Sequence, residues 1–248
     1  MSVPYKLHKG DCLAFMREMK DKSVDCVITD PPYGINFING GGRNPANGWR
    51  TFYDGEGEWD KWKPTKEYFD EMFRVANKVI IWGGNYFANL LPPSQQWLVW
   101  DKGQRDFSLA DGELAWSSLD KAVRIYTYSR AAMLKERVEH PTQKPVALMK
   151  WCLQIAEAQS VFDPFMGSGT MGVACVEMQV PFMGCEVNAK YFSIAESRMQ
   201  SAALQPALFP RSPTKRAPDV GDSPRQQTFS TPEANPLAKG KASPAPRR

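Results

Sequence analysis

The chain has 248 residues, 42% of them hydrophobic, and a formal net charge of +4, which suits one sizeable α/β domain with or without a tail. It contains no apolar run of about 18 residues and no apolar signal-peptide core, so neither a membrane span nor a signal peptide is expected. The five cysteines form no C-x-x-C pair, which favours reduced, buried thiols in a cytoplasmic protein. Two histidines are too few for a histidine-rich metal site, and no metal is predicted.

Charge and proline are concentrated at the C-terminus. Residues 205–248 hold nine of the 20 prolines, eight Lys or Arg and three Asp or Glu, a net charge of +5. Residues 1–204 are therefore left with a net charge of −1, so any contact with nucleic acid in this part needs a local basic patch. We predict a folded domain over 1–204 and a disordered, proline-rich basic tail over 205–248. The tail is either inert or a weak tether to phosphate.

The first chemical motif follows a buried strand. Patterning over 1–29 predicts a short strand, a helix capped by Asp11, and a second strand at 24–29. That strand ends at Asp30, because the two prolines that follow cannot donate to a ladder. Ligand sites of open α/β sheets lie at the carboxyl ends of strands. A carboxylate, rigid proline carbonyls and an aromatic ring there would suit a flipped base with an exocyclic amine. The alternative is a solvated acid before a turn.

Residues 34–64 show neither a helical nor a strand period. Unstructured segments of this length inside a domain are usually binding loops. Their aromatic side chains alternate with Arg and Lys, which suits stacking on bases and pairing with phosphate. We therefore predict an insert at 34–64 that contacts DNA, through Arg43, Trp49, Arg50 and Lys61. The alternative is a surface loop whose tryptophans pack against the domain.

Alternating helices and strands continue to the end of the predicted domain. Thr65 is predicted to cap a helix that ends near Asn77, and Pro145 suits the first turn of another. The short strands that follow one another after residue 95 suggest an antiparallel edge on a mostly parallel sheet. The predicted strands are 78–82, 96–101, 113–117, 122–128, 160–165 and 180–187. The predicted later helices are 146–157, 170–178 and 189–203.

A glycine-rich turn joins the strand at 160–165 to the next helix. Gly167, Gly169 and Gly172 satisfy the G-x-G-x-x-G spacing of dinucleotide-binding turns. However, Asp163 at the strand end would repel a pyrophosphate and attract an ammonium group. Glu186 ends the next strand, where an acid binds the ribose hydroxyls. Acids at both places fit an adenosine that carries an amino-acid group, as in S-adenosylmethionine, better than a dinucleotide. For Glu186 alone the alternative is a solvated acid.

These motifs together resemble the DNA amino-methyltransferases, which methylate N6 of adenine or N4 of cytosine, over about residues 1–200. The order, with the catalytic motif ahead of the cofactor loop, is that of the circularly permuted β group. It argues against the glutamine methyltransferases of release factors, which carry Asn at the position of Asp30. The resemblance implies a Rossmann-like, mostly parallel seven-stranded sheet with an antiparallel edge strand. It assigns the catalytic motif to Asp30, Pro31, Pro32 and Tyr33. It assigns cofactor binding to Asp11, Thr142, Lys144, Asp163, Pro164, Phe165, Gly167, Ser168, Gly169, Thr170, Glu186 and Asn188.

The resemblance also implies a mechanism. Asp30 and the Pro31 carbonyl would accept the amine hydrogens, Tyr33 would stack on the flipped base, and the nitrogen would attack the methyl group of the cofactor directly. Asp at the first motif position is more typical of the adenine enzymes, so N6 of adenine in DNA is expected. N4 of cytosine, RNA, and a DNA-binding module without catalysis are the alternatives.

One departure from the family concerns target recognition. The segment before His140, about residues 129–139, is too short for the usual recognition region. Base recognition is therefore expected from the 34–64 insert, or from residues 103–112, or it is weak, which predicts a short recognition site and low specificity. A homodimer is compatible with the sequence, and neither the recognition sequence nor a partner restriction enzyme can be derived from it. The small size suits an orphan enzyme of a phage or other mobile element, or a restriction–modification system.

Overall fold

One eight-stranded sheet with helices on both faces organises the chain in the computed structural model, which describes residues 3–35, 62–105, 110–129 and 143–204. These residues all belong to a single unit, Met1–Arg211. The strands are β1 Tyr5–Lys9, β2 Val24–Thr29, β3 Ala76–Trp82, β4 Trp97–Asp101, β5 Gly112–Ser117, β6 Arg124–Thr127, β7 Val161–Asp163 and β8 Phe182–Glu186. The helices are α1 Cys12–Glu18, α2 Lys66–Val75, α3 Val146–Ala156, α4 Thr170–Glu177 and α5 Ala189–Leu204, with a 3-10 turn at Gly84–Phe87.

The strand order is β1-β8-β7-β2-β3-β5-β4-β6. All neighbours are parallel except the pairs that involve β5, which is antiparallel to both β3 and β4. The predicted Rossmann-like α/β class is confirmed. Two details differ: the sheet has eight strands rather than seven, and its antiparallel strand is internal. The additional strand is β6, which pairs in parallel with the outer side of β4, with Leu98 opposite Arg124. The antiparallel strand β5 is internal because β4 pairs with its outer side, with Trp97 opposite Trp116.

The central strands are buried on both faces, which explains their continuous apolar sequences. Successive residues of β2 point to opposite faces of the sheet, so Val27 and Ile28 belong to two different apolar clusters. Val79 and Ile80 of β3 divide in the same way. Burying each such side chain contributes roughly 1.5–3 kcal/mol. The middle of the sheet is therefore a rigid support for the loops at its carboxyl edge.

Helix boundaries confirm one predicted cap and correct two other predictions. Asp11 caps α1, because its Oδ1 accepts a hydrogen bond of 2.8 Å from the amide of Ala14. Thr65 occupies the N-cap position of α2, but its side chain makes no capping hydrogen bond. The helix does not reach Asn77: Ala76 is already extended and begins β3 without a loop.

The parallel arrangement brings several strand ends to one edge of the sheet. Thr29 of β2 lies opposite Ile81 of β3, and Asp163 of β7 lies opposite Gly184 of β8. The residues that follow these strands therefore meet above that edge.

All five cysteines are buried and unpaired, as expected. Among the described residues, no helix is both long and apolar enough to cross a membrane.

Candidate active site

A cavity of about 850 Å³ opens above the carboxyl edge of the sheet. It brings together most of the residues that the sequence nominated from distant parts of the chain. Those that line it are Asp11, Asp30, Pro31, Pro32, Tyr33, Lys144, Asp163, Pro164, Phe165, Gly167, Ser168, Thr170, Glu186 and Asn188. Gly169 does not line the cavity and lies against Ala195 of α5. Five nominated residues lie outside the described part of the chain: Arg43, Trp49, Arg50, Lys61 and Thr142.

Both oxygens of the Asp30 carboxylate accept a hydrogen bond. The Tyr33 hydroxyl donates to Oδ1 at 2.5 Å, and Nζ of Lys144 donates to Oδ2 at 2.5 Å. Asp30 follows the last residue of β2, and the Pro31-Pro32 pair that comes next fixes the backbone. The carboxylate is therefore held in one orientation at the cavity wall.

The ring of Tyr33 is fixed by its neighbours. It stacks on Tyr86, with ring centroids 4.6 Å apart and planes at 16°. It also lies directly against the backbone of Gly83, where an added Cβ would come within 2.0 Å of the Tyr33 ring. Gly83 has a φ of +68°, so both the space and the backbone require glycine there. Burial and the nearby Asp30 raise the pKa of Tyr33 well above its usual value, so its hydroxyl remains a hydrogen-bond donor.

Lys144 was predicted to bind the cofactor, and the structure brings its ammonium group to the catalytic motif. Besides Asp30, it lies 3.1 Å from Oε2 of Glu113. Burial alone would lower the pKa of Lys144, but the charges of Asp30 and Glu113 raise it above its usual value. Burial likewise opposes ionisation of Glu113, but Lys144 and Lys102 lower its pKa to about 2. Lys144 and Glu113 are therefore both charged at neutral pH.

The other half of the cavity contains Asp163. Its Oδ1 accepts hydrogen bonds from the Thr29 hydroxyl at 2.7 Å and from the amide of Phe165 at 3.1 Å. Burial raises the pKa of this carboxyl to about 7, against the lowering effect of these two bonds. A buried carboxyl group with this pKa is suited to bind a cationic ligand, whose charge would compensate its own.

The Glu186 carboxylate accepts a hydrogen bond from the turn between β7 and α4. Its Oε2 accepts a hydrogen bond of 3.0 Å from the amide of Gly167, and its Oε1 accepts one of 2.7 Å from the amide of Asn188. Burial raises the pKa of Glu186 above its usual value, while these bonds lower it. Gly167 itself has a φ of +52°, in the left-handed region. The carboxylate is therefore fixed at the rim of the same half of the cavity.

Aromatic rings line the cofactor half on the side of α1 and α2. The Tyr68 hydroxyl donates to Oδ2 of Asp11 at 3.4 Å. The rings of Trp62, Tyr68 and Phe165 form a cluster with centroid distances of 5.1 to 6.1 Å. Trp62 is the most exposed of the three, at 41%. A flat apolar surface therefore lies beside an acid at this end of the cavity.

Sequence reasoning missed two charged residues that the site contains. Glu113 is the second residue of β5, and because this strand runs antiparallel, its amino end meets the carboxyl ends of its neighbours. Arg198 of α5 donates from Nη1 to the carbonyl of Ser168 at 2.6 Å and to Oγ1 of Thr170 at 3.2 Å. The strand direction of β5 would have identified Glu113. No sequence signal separates Arg198 from other helix arginines.

No cluster of three or more His, Cys, Asp or Glu side chains that could hold a metal ion occurs among the described residues. The site is instead made of two acid-containing halves. In one half, the Asp30 carboxylate meets the Tyr33 ring. In the other, the buried Asp163 and the part-buried Glu186 lie beside a glycine turn.

Comparison with known proteins agrees with this arrangement. A family model described as DNA methylase, of the N6 and N4 type, matches residues 99–197. The type II methyltransferase M2.DpnII of Streptococcus pneumoniae is 25% identical over 240 residues, which cover 77% of this chain and 88% of that protein.

Solved structures show the same fold. The crystal structure of the M1.HpyAVI–SAM complex has a TM-score of 0.55 at 22% identity, and the match covers 78% of this chain and 99% of that one. The cytosine-N4-specific PvuII DNA methyltransferase has a TM-score of 0.50 at 13% identity, with 82% and 94% of the two chains covered.

Proposed function

We propose that the chain is a DNA methylase of the N6 and N4 type, and that it transfers a methyl group from S-adenosylmethionine to N6 of adenine in DNA. The observation that carries the proposal is the presence of Asp30 and Asp163 in one cavity, at the ends of the adjacent strands β2 and β7. Asp30, which would accept a hydrogen bond from an amine, therefore lies beside Asp163, which would bind a cationic cofactor.

The residues of the second half of the cavity fit this cofactor. Asp163 would bind its ammonium group, Glu186 its ribose hydroxyls, and the turn at Gly167 would allow close approach of the backbone. Asp11 and the aromatic cluster beside it would receive the adenine ring. When bound, S-adenosylmethionine supplies a methyl group on a positively charged sulfur. M1.HpyAVI, which has the same fold, is described as a complex with SAM.

Asp30 would accept a hydrogen bond from the amine that receives the methyl group. The lone pair of an exocyclic amine is delocalised into the ring, and hydrogen bonds from its two N–H groups to Asp30 and the Pro31 carbonyl would free it for attack. Tyr33 would stack on the base and, through its hydroxyl, orient Asp30. A base must leave the helix stack to reach these groups. Catalysis then consists of positioning and electrostatic stabilisation.

The cysteines are not nucleophiles in this mechanism. Burial is the main cause that raises the pKa of all five thiols, which keeps them protonated at neutral pH. Direct transfer from the cofactor to the amine needs no covalent enzyme intermediate.

N4 of cytosine is the second candidate acceptor. Its exocyclic amine would present the same two N–H groups to Asp30 and the Pro31 carbonyl, and PvuII, a cytosine-N4-specific enzyme, shares the fold. Adenine is preferred because the catalytic motif begins with Asp30, which resembles the adenine enzymes. The predicted DNA contacts in the 34–64 insert and the role of the tail remain part of this proposal.

One experiment tests both base and activity. Unmethylated duplex DNA is incubated with the protein and tritium-labelled cofactor, digested to nucleosides and separated. We expect the label in N6-methyldeoxyadenosine. The Asp30→Ala variant should incorporate no label, although calorimetry should show that it still binds the cofactor. Label in N4-methylcytosine would select the second candidate. Label only in an RNA acceptor run in parallel, or none in any acceptor, would contradict the proposal.

A further inference from the structure

Lys144 lies between two carboxylates of the cavity, and its side chain is only 7% exposed. Its Nζ is 2.5 Å from Oδ2 of Asp30 and 3.1 Å from Oε2 of Glu113. The other oxygen of Glu113 is 2.7 Å from Nζ of Lys102. Two acids and two bases thus form a continuous series of ion pairs with no net charge.

The contact between Lys144 and Asp30 opposes the proposed chemistry as long as it persists. An amine nitrogen gains positive charge as it attacks a methyl group, and Asp30 is the group that would stabilise this charge. An ammonium group fixed on the same carboxylate would repel the developing cation and compete for the same acceptor. Lys144 must therefore leave Asp30 before methyl transfer.

A buried ammonium group cannot leave its partner unless another is ready, since an unpaired buried charge is strongly unfavourable. Glu113 is that partner. It already contacts Lys144, and its second oxygen pairs with Lys102, so only a short displacement of the ammonium group is needed.

We propose, on the basis of the proposed function, that Lys144 is a positioning residue, which orients the Asp30 carboxylate until the amine of a target base takes its place and then passes to Glu113. Neither Lys144 nor Glu113 needs to touch the reacting atoms. Glu113 makes the exchange possible, because the local charge stays balanced before and after it.

The proposal differs from the role that the sequence suggested for Lys144. A cofactor ligand would affect the affinity for S-adenosylmethionine, whereas a residue that acts through Asp30 would affect the use of DNA. It also differs from a purely structural role, because Glu113 should matter only while Lys144 is present.

The test is a double-mutant cycle of Glu113→Gln, Lys144→Met and the combined variant. Each is assayed for kcat/KM on unmethylated plasmid DNA and for cofactor affinity by calorimetry. Glu177→Gln is the matched control, since Glu177 pairs with Lys150 at 2.5 Å, is similarly part-buried, and does not line the cavity.

We expect Glu113→Gln to lower kcat/KM about tenfold or more, because a neutral amide cannot receive the ammonium group as a carboxylate does. Lys144→Met should also lower kcat/KM, because Asp30 loses its orienting contact in the protein that has not yet bound a target base. The combined variant should equal Lys144→Met alone. Cofactor affinity should stay within about twofold throughout. Glu177→Gln should behave as the unmodified protein.

Three results would overturn the proposal: full kcat/KM in Glu113→Gln, multiplicative losses in the combined variant, or a parallel loss of cofactor affinity in Lys144→Met.

If Lys144→Met does not fold, Lys144→Arg provides the test. A guanidinium group pairs with both carboxylates persistently, so kcat should fall at unchanged cofactor affinity, and full kcat would contradict us. An unmodified protein that methylates no DNA would refute the proposed function and this inference together, whereas active protein with an unaffected Glu113→Gln variant would refute this inference alone.

Discussion

The Thr29 hydroxyl donates a hydrogen bond of 2.7 Å to Oδ1 of Asp163. Thr29 ends β2, directly before Asp30, and Asp163 ends β7, directly before the glycine turn. Both side chains are buried, at 2% and 5% exposure. This one bond therefore joins the catalytic half of the cavity to its cofactor half. It also helps to set the ionisation of Asp163, since it is the largest cause that lowers the pKa of this carboxyl.

The affinity for S-adenosylmethionine should depend on the ionisation of Asp163. Because its pKa is raised to about 7, the carboxyl group is largely neutral at lower pH and binds an ammonium group poorly. We expect affinity by calorimetry to rise with pH through about 7 and Asp163→Asn to bind weakly without this rise. Thr29→Val removes a bond that lowers this pKa, so the rise should move to higher pH. An affinity that is flat between about pH 6 and 8 would contradict the assignment.

The same ionisation predicts a gain in stability when Asp163 is replaced. The pKa of Asp163 in the folded protein, about 7, lies above its ordinary value of 3.8. The folded state thus binds the proton more tightly, and this contribution to stability is complete below about pH 4 and is lost as the pH rises through about 7. Without cofactor, Asp163→Asn should therefore raise the free energy of unfolding at pH 8 by a few kcal/mol, at most about 4, and by less at pH 6. Urea denaturation at both pH values measures this difference, and an equal change at both would refute it.

Local sequence patterns predicted which acidic side chains lie at the strand ends better than they predicted which other side chains contact them. Asp30 follows a buried apolar strand, and Asp163 and Glu186 end two others. Parallel pairing alone brings such residues to one edge of the sheet. These positions follow from hydrophobic period and proline placement, which are local properties. The helix and strand boundaries were mostly predictable for the same reason.

Which neighbours β5 and β6 pair with is a long-range property, and the sequence did not predict it. An alternating pattern gives a strand but not its direction or its neighbours. The antiparallel course of β5 decides that Glu113 reaches Lys144, and the pairing of β4 with the outer side of β5 decides that the antiparallel strand is internal. The resemblance assigned Lys144 to the cofactor, and its contacts with Asp30 and Glu113 could not be predicted without the direction of β5.

Gly169 should be more sensitive to substitution than another glycine of similar conformation. Its φ is +79°, and an added Cβ would lie 2.8 Å from Cβ of Ala195. Gly103 has a φ of +62°, but its nearest neighbour would be 3.9 Å away. We expect Gly169→Ala to cost about 2–4 kcal/mol of stability, from backbone strain and overpacking together, and Gly103→Ala only about 1 kcal/mol. Chemical denaturation of both variants measures the difference, and equal costs would show that α5 can give way.

Arg198 should contribute to cofactor affinity without touching the cofactor. Its Nη1 binds the Ser168 carbonyl, the Ser168 hydroxyl at 3.1 Å and the Thr170 hydroxyl, and so ties the glycine turn to α5. In Arg198→Met the turn would have to be ordered when the cofactor binds, so we expect affinity by calorimetry to fall about tenfold. At saturating cofactor, kcat should stay within about threefold, because Asp30 lies in the other half of the cavity. Arg124→Gln, at an exposed position on β6, is the control and should change neither. If Arg198→Met lowered kcat at saturating cofactor while affinity was unchanged, the turn would serve the catalytic half instead.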